Sequence, residues 1–231
     1  MSELGCRVEM SEKSQRRDRS RSTWTAVLVT VTVASLLVVA TGTAAADAPE
    51  CSSIGYTGTG TSEDPYQVTN VDELQCIGEN HADADTQSDA LNSDYELVTD
   101  INASGTSGWN PSAETGSMGF KPISGGEVPF NGKFSGNGYT VSGLTIDRPF
   151  TIVGMFAVLG PEGRIQDIHL ENVDISGETA VGSLAGVVDR GTIADSSSDG
   201  TVSGTNYVGG LVGANIGNVT GSSASGTVES T

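Results

Sequence analysis

The feature that most limits what this chain can become is a period. Val153-Gly-Met-Phe-Ala157, Val181-Gly-Ser-Leu-Ala185 and Val208-Gly-Gly-Leu-Val212 align without gaps, 28 and 27 residues apart. A second landmark, Gly163-Arg-Ile165, Gly191-Thr-Ile193 and Gly217-Asn-Val219, keeps spacings of 28 and 26. A third, Ile175-Ser-Gly177 and Val202-Ser-Gly204, is followed by Val228 in the same place. Each unit holds about three short β-prone runs separated by Gly, Asn, Ser or Asp. Those separators suit corners, where a residue must take a positive φ. A unit this short buries no core alone, so the units stand only as a stack.

The expected fold is therefore all-β, a right-handed parallel β-helix (β-solenoid) of about three to five turns with a short N-terminal capping helix. Strands stack at about 4.8 Å, which sets equivalent residues above one another. Val153, Val181 and Val208 are expected to form one internal column, Phe156, Leu184 and Leu211 a second, and Ile165, Ile193 and Val219 a third.

Gly210-Leu211-Val212-Gly213 resembles the Gly-Leu-apolar-Gly core of the GLUG repeat family. Ser183-Leu184-Ala185-Gly186 differs by a Ser for the first Gly, Met155-Phe156-Ala157-Val158 is more distant, and Asn215-Ile-Gly217-Asn-Val219 continues the pattern. The resemblance spans residues 130–231. The stretch Gly58-Thr-Gly60-Thr-Ser-Glu-Asp64-Pro65-Tyr66 also looks like the lead-in before such repeats in secreted surface proteins. It implies the company of bacterial and archaeal surface proteins, adhesin-like proteins and the neighbours of immunoglobulin A peptidase domains. That speaks to architecture more than to any one activity.

Upstream, residues 47–129 read as an N-terminal cap and first irregular turns. Tyr66-Gln67-Val68 is a short strand, and Asn70 with Glu73 makes a capping box before the apolar face Val71, Leu74, Ile77, ended by Gly78. Residues 79–93 read as a polar loop, Tyr95 to Ile101 as one strand, and 102–129 as irregular. Asp83, Asp85, Asp89 and Asp94 fall at spacings that partly match a calcium loop. Ser88 stands where that loop needs Gly, and Asp94 where it needs a bidentate Glu, so no metal or other cofactor is expected beyond this weak calcium candidate. The repeats of 130–231 stop before another Val-Gly-x-Leu core, which suggests a truncated member whose uncapped last turn is a template for self-association.

Residues 1–46 have the three parts of an export signal: a basic stretch, an apolar run from Trp24 to Ala40, and Ala44-Ala45-Ala46 before Asp47. Arg16-Arg17 leaves a twin-arginine (Tat) route open beside the general secretory (Sec) route. A signal anchor is the alternative to cleavage. Either way the remainder is secreted or cell-surface. Cys6 belongs to the leader, which leaves Cys51 and Cys76 as a pair where a disulfide is allowed. Asn102 and Asn218 head glycosylation sequons.

Beyond the leader, five basic residues face 25 acidic ones, a net of −20. Phosphate contacts need Lys and Arg, so nucleic acid is excluded as a partner, and anionic lipid is repelled, so no membrane contact is expected beyond the N-terminal segment. The balance is that of a halophilic protein, whose self-repulsion fades in strong salt.

No catalytic residues are expected. His81 and His169, the two histidines, form no zinc motif, and no base stands beside a serine by motif. Asp167, Asp174, Asp195 and Asp199 are the carboxylates that a polysaccharide-cleaving coil would use, against the plainer reading of a solvated acidic surface. Trp109, Tyr139 and Tyr207 either meet sugar rings or pack on the coil. The reading favoured is a non-catalytic structural or adhesion-type surface module that binds an unknown extracellular protein or glycan. A secreted polysaccharide lyase or hydrolase on a pectin-lyase-like coil is one alternative, and a truncated, non-functional copy of a longer surface protein is another.

Overall fold

The computed structural model describes residues 47–113, 116–125 and 128–230. The export signal of residues 1–46, with Cys6 and the Arg16-Arg17 pair, lies outside them. The rest is all-β, built from strands of two to eight residues.

Interruption by corner residues keeps the strands short, and the period decides what each one pairs with. The first sheet stacks β1 (Tyr66–Val68), β2 (Tyr95–Leu97), β6 (Lys133–Ser135), β11 (Arg164–Gln166), β15 (Thr192–Ala194) and β19 (Asn218–Thr220) in that order. A second holds β10 (Phe156–Leu159), β14 (Ala185–Val188) and β18 (Val212–Asn215). The third runs β3 (Ile101–Asn102), β7 (Thr140–Ser142), β12 (His169–Ser176), β16 (Ser197–Gly204) and β20 (Ser223–Ser230), with β8 (Thr145–Asp147) on the later half of β12. A fourth holds β9 (Ile152–Val153), β13 (Ala180–Gly182) and β17 (Tyr207–Gly209). Pairing in these four sheets is parallel. The short β4 (Pro111–Ser112) and β5 (Gly116–Ser117) pair antiparallel.

Side chains that point inward line up from layer to layer. Ile165, Ile193 and Val219 share a column, and it continues upstream through Phe134, Tyr95 and Tyr66. The first sheet thus runs unbroken across residue 130. Val153, Val181 and Val208 form another column, and Ile146, Ile175, Val202 and Val228 a further one. Burial is complete in the middle layers and falls off at the last, where Val208 and Val219 are half-buried and Val228 is exposed.

One expected column is wrong by a residue. Phe156 faces Ala185 and Val212, not Leu184 and Leu211. Val153 pairs with Val181 at an offset of 28, yet Phe156 pairs with Ala185 at 29, so the first repeat is one residue shorter at this corner. Met155 takes the place of Leu184 and is equally buried. The first repeat's core is then Gly154-Met155-Phe156-Ala157, which matches the Gly-Leu-apolar-Gly pattern better than the ungapped alignment does.

That corner explains the pattern's last glycine. The second and fourth sheets meet with their backbones in contact, and a Cβ on Gly213 would lie 2.5 Å from the Val181 nitrogen. Corners after the first sheet are turned by left-handed residues, Asn137 (φ 51°), Asp167 (φ 53°), Asp195 (φ 50°) and Gly221 (φ 61°). Asn and Asp tolerate that region better than other side chains because their short polar groups bond locally.

The other end of the stack is closed. Helix α1 (Val71–Cys76) starts at Asn70, whose side chain accepts from the Glu73 amide at 2.9 Å. The Glu73 carboxylate reaches back to the Thr69 amide at 2.6 Å, one residue earlier than a capping box requires. The expected loop at 79–93 is corrected: it contains helix α2 (Gln87–Asn92), capped by the Thr86 hydroxyl, which accepts from the Asp89 amide at 3.1 Å. The single strand expected over Tyr95 to Ile101 is instead two, β2 and β3, which belong to different sheets. Thr57 pairs antiparallel with Gln67 along the first strand, and the Tyr56 ring sits 5.4 Å from Tyr66. Cys51 and Cys76 are joined by a disulfide, which ties the entry segment to α1.

Candidate binding surface

The strands of the third sheet alternate, so the column Ile146, Ile175, Val202, Val228 faces inward and its neighbours face out. One outward row is Thr145, Asp174, Thr201, Thr227; the next is Asp147, Ser176, Ser203, Glu229. Beside them His169 stands between Thr140 and Ser197, with its Nδ1 2.8 Å from the Ser197 hydroxyl. The outcome is a wall of hydroxyls and carboxylates, repeated once per layer. At its upper end a groove of about 360 Å³ is lined by Ser107, Ser117, Thr145, Asp147, Asp174 and Ser176.

The carboxylates named from the sequence divide by position. Asp174 is exposed and lines this groove, joined there by Asp147, which sequence reasoning missed. Register is the signal that could have found it: Asp147 lies two residues outward of Thr145, which faces Asp174. Asp167 and Asp195 turn corners. Asp199 accepts from the Ser225 hydroxyl at 3.0 Å one layer below.

The calcium candidate does not assemble. Asp83 accepts from the Tyr56 amide at 2.6 Å, Asp89 lies in the first turn of α2 and accepts from the hydroxyl of its N-cap Thr86 at 2.7 Å, and Asp94 accepts from the Lys133 amide at 2.7 Å. Asp85 has no part in a common site, and no group of three or more metal-ligating side chains occurs among the described residues. The spacing fails because α2 shortens the segment and engages Asp89 with the Thr86 cap.

Asn102 is exposed and ends β3 instead of sitting in a loop; its Oδ1 accepts from the Ser104 amide at 3.0 Å. Asn218 is exposed at the start of β19. Trp109 is buried and Tyr139 packs partly on the core, while Tyr207 is 63% exposed.

His81 is buried, although it falls in the stretch 79–93 that reads as a polar loop. Its ring lies 4.7 Å from Tyr56 and 5.4 Å from Tyr66, and its Nε2 is 3.1 Å from the Tyr95 hydroxyl. Burial lowers its pKa, and Asp83 opposes that more weakly. Burial pushes the Tyr56 and Tyr95 hydroxyls well above their usual range. Elsewhere Arg148 is buried, donating from Nε to Phe120 O at 2.9 Å and from Nη2 to Gly119 O at 3.1 Å. It underlies Phe150, which borders a second, mainly apolar pocket of about 330 Å³ with Lys121, Ile152, Ala157 and Val158.

Residues 204–229 match the GLUG motif. The chain is 38% identical to Halomucin of Haloquadratum walsbyi over 164 residues, 68% of this chain and 2% of that protein. A candidate Gly-rich membrane protein of Evansella cellulosilytica is 29% identical over 207 residues, 73% of this chain and 22% of that protein. The chain thus spans a small part of the curated relatives it matches. A solved structure of a candidate immunoglobulin A1 protease from Bacteroides ovatus aligns over 73% of this chain and 69% of its own, with a TM-score of 0.41 and 16% identity.

Proposed function

Starting from a chain that carries the GLUG motif, we propose a non-catalytic structural and adhesion-type module of the cell surface or secreted matrix. Its coil is a right-handed parallel β-helix of about three to five turns. The observation that carries this reading is the outward wall of the third sheet, where Thr145, Asp174, Thr201 and Thr227 recur at strand spacing beside Asp147, Ser176, Ser203 and Glu229. A row of weak hydrogen-bonding groups at a fixed repeat suits a polymer that repeats too, because contacts along one ligand reinforce one another. The surrounding negative charge selects against anionic polymers and favours neutral glycans or hydroxyl-rich protein. Similarity to Halomucin from a halophile supports a place outside the cell in strong salt.

The polysaccharide-cleaving alternative draws on one observation, that Asp147 and Asp174 line the same groove. One experiment separates the two. The full chain is incubated in molar salt with neutral and uronate-containing polysaccharides, and both co-sedimentation and polymer length are measured. Retention of a neutral polymer at unchanged length is expected, weakened by Thr145→Ala with Thr201→Ala. Shortening of any polymer that D147N or D174N abolishes would replace this reading with the enzymatic one. A chain that retains no polymer would overturn the glycan-binding role.

A further inference from the structure

Above the first full repeat the chain takes a short cut past the fourth sheet. In the repeats, the passage from the third sheet to the second takes ten residues: Ile146 to Phe156, Ile175 to Ala185, Val202 to Val212. One layer earlier Gly119 bridges to Ile146 and Ile123 to Phe156, so the same passage takes four. Phe120 still lies over the third sheet, its amide donating to Thr145 O at 2.8 Å. Lys121 and Pro122 are too few to lay a strand over β9 on the way. Accordingly β9 pairs with β13 on one side and with no strand on the other among the described residues.

The mainly apolar cavity of about 330 Å³ occupies the place of that strand. It is lined by Ile152 of β9, by Ala157 and Val158 of β10 and by Pro122 of the layer above, with the 48% exposed Phe150 at its border. Alternate residues of a parallel strand turn their backbone groups to opposite sides. Thr151 O accepts from the Ala180 amide at 2.7 Å, so Ile152, the next residue, turns its N–H and C=O away from β13 and toward the cavity. The wall opposite is fixed. The buried Gln75 side chain donates to Lys121 O at 2.9 Å and accepts from its amide at 2.8 Å. The Ser124 hydroxyl donates to Val158 O at 2.9 Å and accepts from its amide at 3.1 Å. Lys121 is the one charged residue among the described residues of this lining, and its ammonium is taken up by Glu79.

We infer that this cavity is a strand-addition site, which takes an extended, uncharged segment of another polypeptide and seats it along β9 as a further strand of the fourth sheet. The main chain of the segment bonds to the N–H and C=O of Ile152, and one of its side chains enters among Ile152, Val158 and Phe150. Small and aliphatic residues suit it, because the lining offers apolar surface and no free charge. The coil itself supplies such a segment to the other edge of β9: Thr179-Ala-Val-Gly-Ser183, with Ala180 beside Ile152. This site is lined by other residues than the wall of the third sheet, and neither reading depends on the other.

The test is titration of the full chain in molar salt with the peptide Thr-Ala-Val-Gly-Ser, blocked at both ends, followed by amide resonances and hydrogen exchange. Without peptide, the Ile152 amide is expected to exchange faster than that of Val153, which faces β13. With peptide, saturable shifts are expected at residues 150–158, and exchange at Ile152 slows. Val158→Phe fills the cavity and Phe150→Ala removes its aromatic border; each is expected to weaken binding roughly tenfold or more. Arg164→Gln, exposed on the first sheet, leaves it unchanged. The same peptide with Asp in place of Ala is expected not to bind. Circular dichroism verifies that each variant is folded, and Phe150→Ala, at an exposed position, serves alone where Val158→Phe is not. Absence of saturable shifts, binding that leaves exchange at Ile152 as it was, equal binding of the Asp peptide, or indifference to the cavity variants would each overturn the inference. None of these readouts requires a glycan ligand.

Discussion

His81 is held neutral by geometry as well as by burial. The Tyr95 hydroxyl has one proton and donates it to Ala90 O at 3.0 Å, so the hydrogen between it and His81 sits on Nε2. Nδ1 then accepts from the Asp83 amide at 3.3 Å. A second ring proton would be driven against that amide, inside a ring of Tyr56, Tyr66 and Tyr95. The folded pKa is lowered from 6.5, so below that value the unfolded chain binds more protons than the folded one. Stability from this site is complete above about pH 6.5 and is lost as pH falls from there through the folded pKa. The melting temperature is expected to drop between pH 7 and pH 5, and His81→Gln should flatten that drop. A wild-type profile already flat in this window would count against the neutral tautomer. At the other extreme, Tyr56 and Tyr95 have raised pKa values, so their contribution is present at neutral pH and lost above about pH 10, where the unfolded phenols ionise.

At the scale of the strand and its corner, the motif is a statement about close backbone approach. A Cβ on Gly213 would meet the Val181 nitrogen at 2.5 Å, and one on Gly186 would meet the Val153 nitrogen at 2.9 Å. In the first repeat Ala157 takes this place, where the second pocket leaves room. Ser183 shows that the motif's first position is looser: it stands where Gly210 does, and its hydroxyl donates to Gly210 O at 2.6 Å. Gly213→Ala is therefore expected to cost on the order of 2–4 kcal/mol and Gly210→Ser clearly less, read from urea midpoints. Equal losses would refute this account of the corner. The columns of Val181 and Ile193 were legible in the sequence because a period of 26–28 residues fixes them in register. The slip at Phe156 was not, because a one-residue shortening inside a corner leaves the flanking landmarks in step. Helix α2 was hidden for another reason: Thr86 and Asp89 form a cap that composition alone renders as polar loop. The groove of Asp147 and Asp174 depends on pairing between distant strands, which only the register reveals.

For the molecule as a whole, one covalent tie and one long-range force set the conditions under which it stands. The disulfide closes a separation of 25 residues at the capped end and is expected to contribute about 3 kcal/mol; reduction should lower the melting temperature accordingly. The force is self-repulsion. Beyond the leader the chain carries a net of −20, and the described residues contain two ion pairs, Lys121 with Glu79 and Arg190 with its neighbour Asp189. The remaining carboxylates are spread over the outward faces, where screening decides their cost. The Debye length is about 10 Å at 0.1 M salt and about 3 Å at 1 M, so repulsion between layers fades within that range. Above it, further stabilisation comes from salts that strengthen apolar burial, and it should follow the choice of anion. The variant D147N/E171Q/D174N removes three exposed charges from one face. It is expected to melt higher than the wild type in dilute buffer, with the difference closing as sodium chloride approaches 1 M. A difference that persists at every salt concentration would mean that these side chains act through particular contacts, not through the field of the whole acidic body.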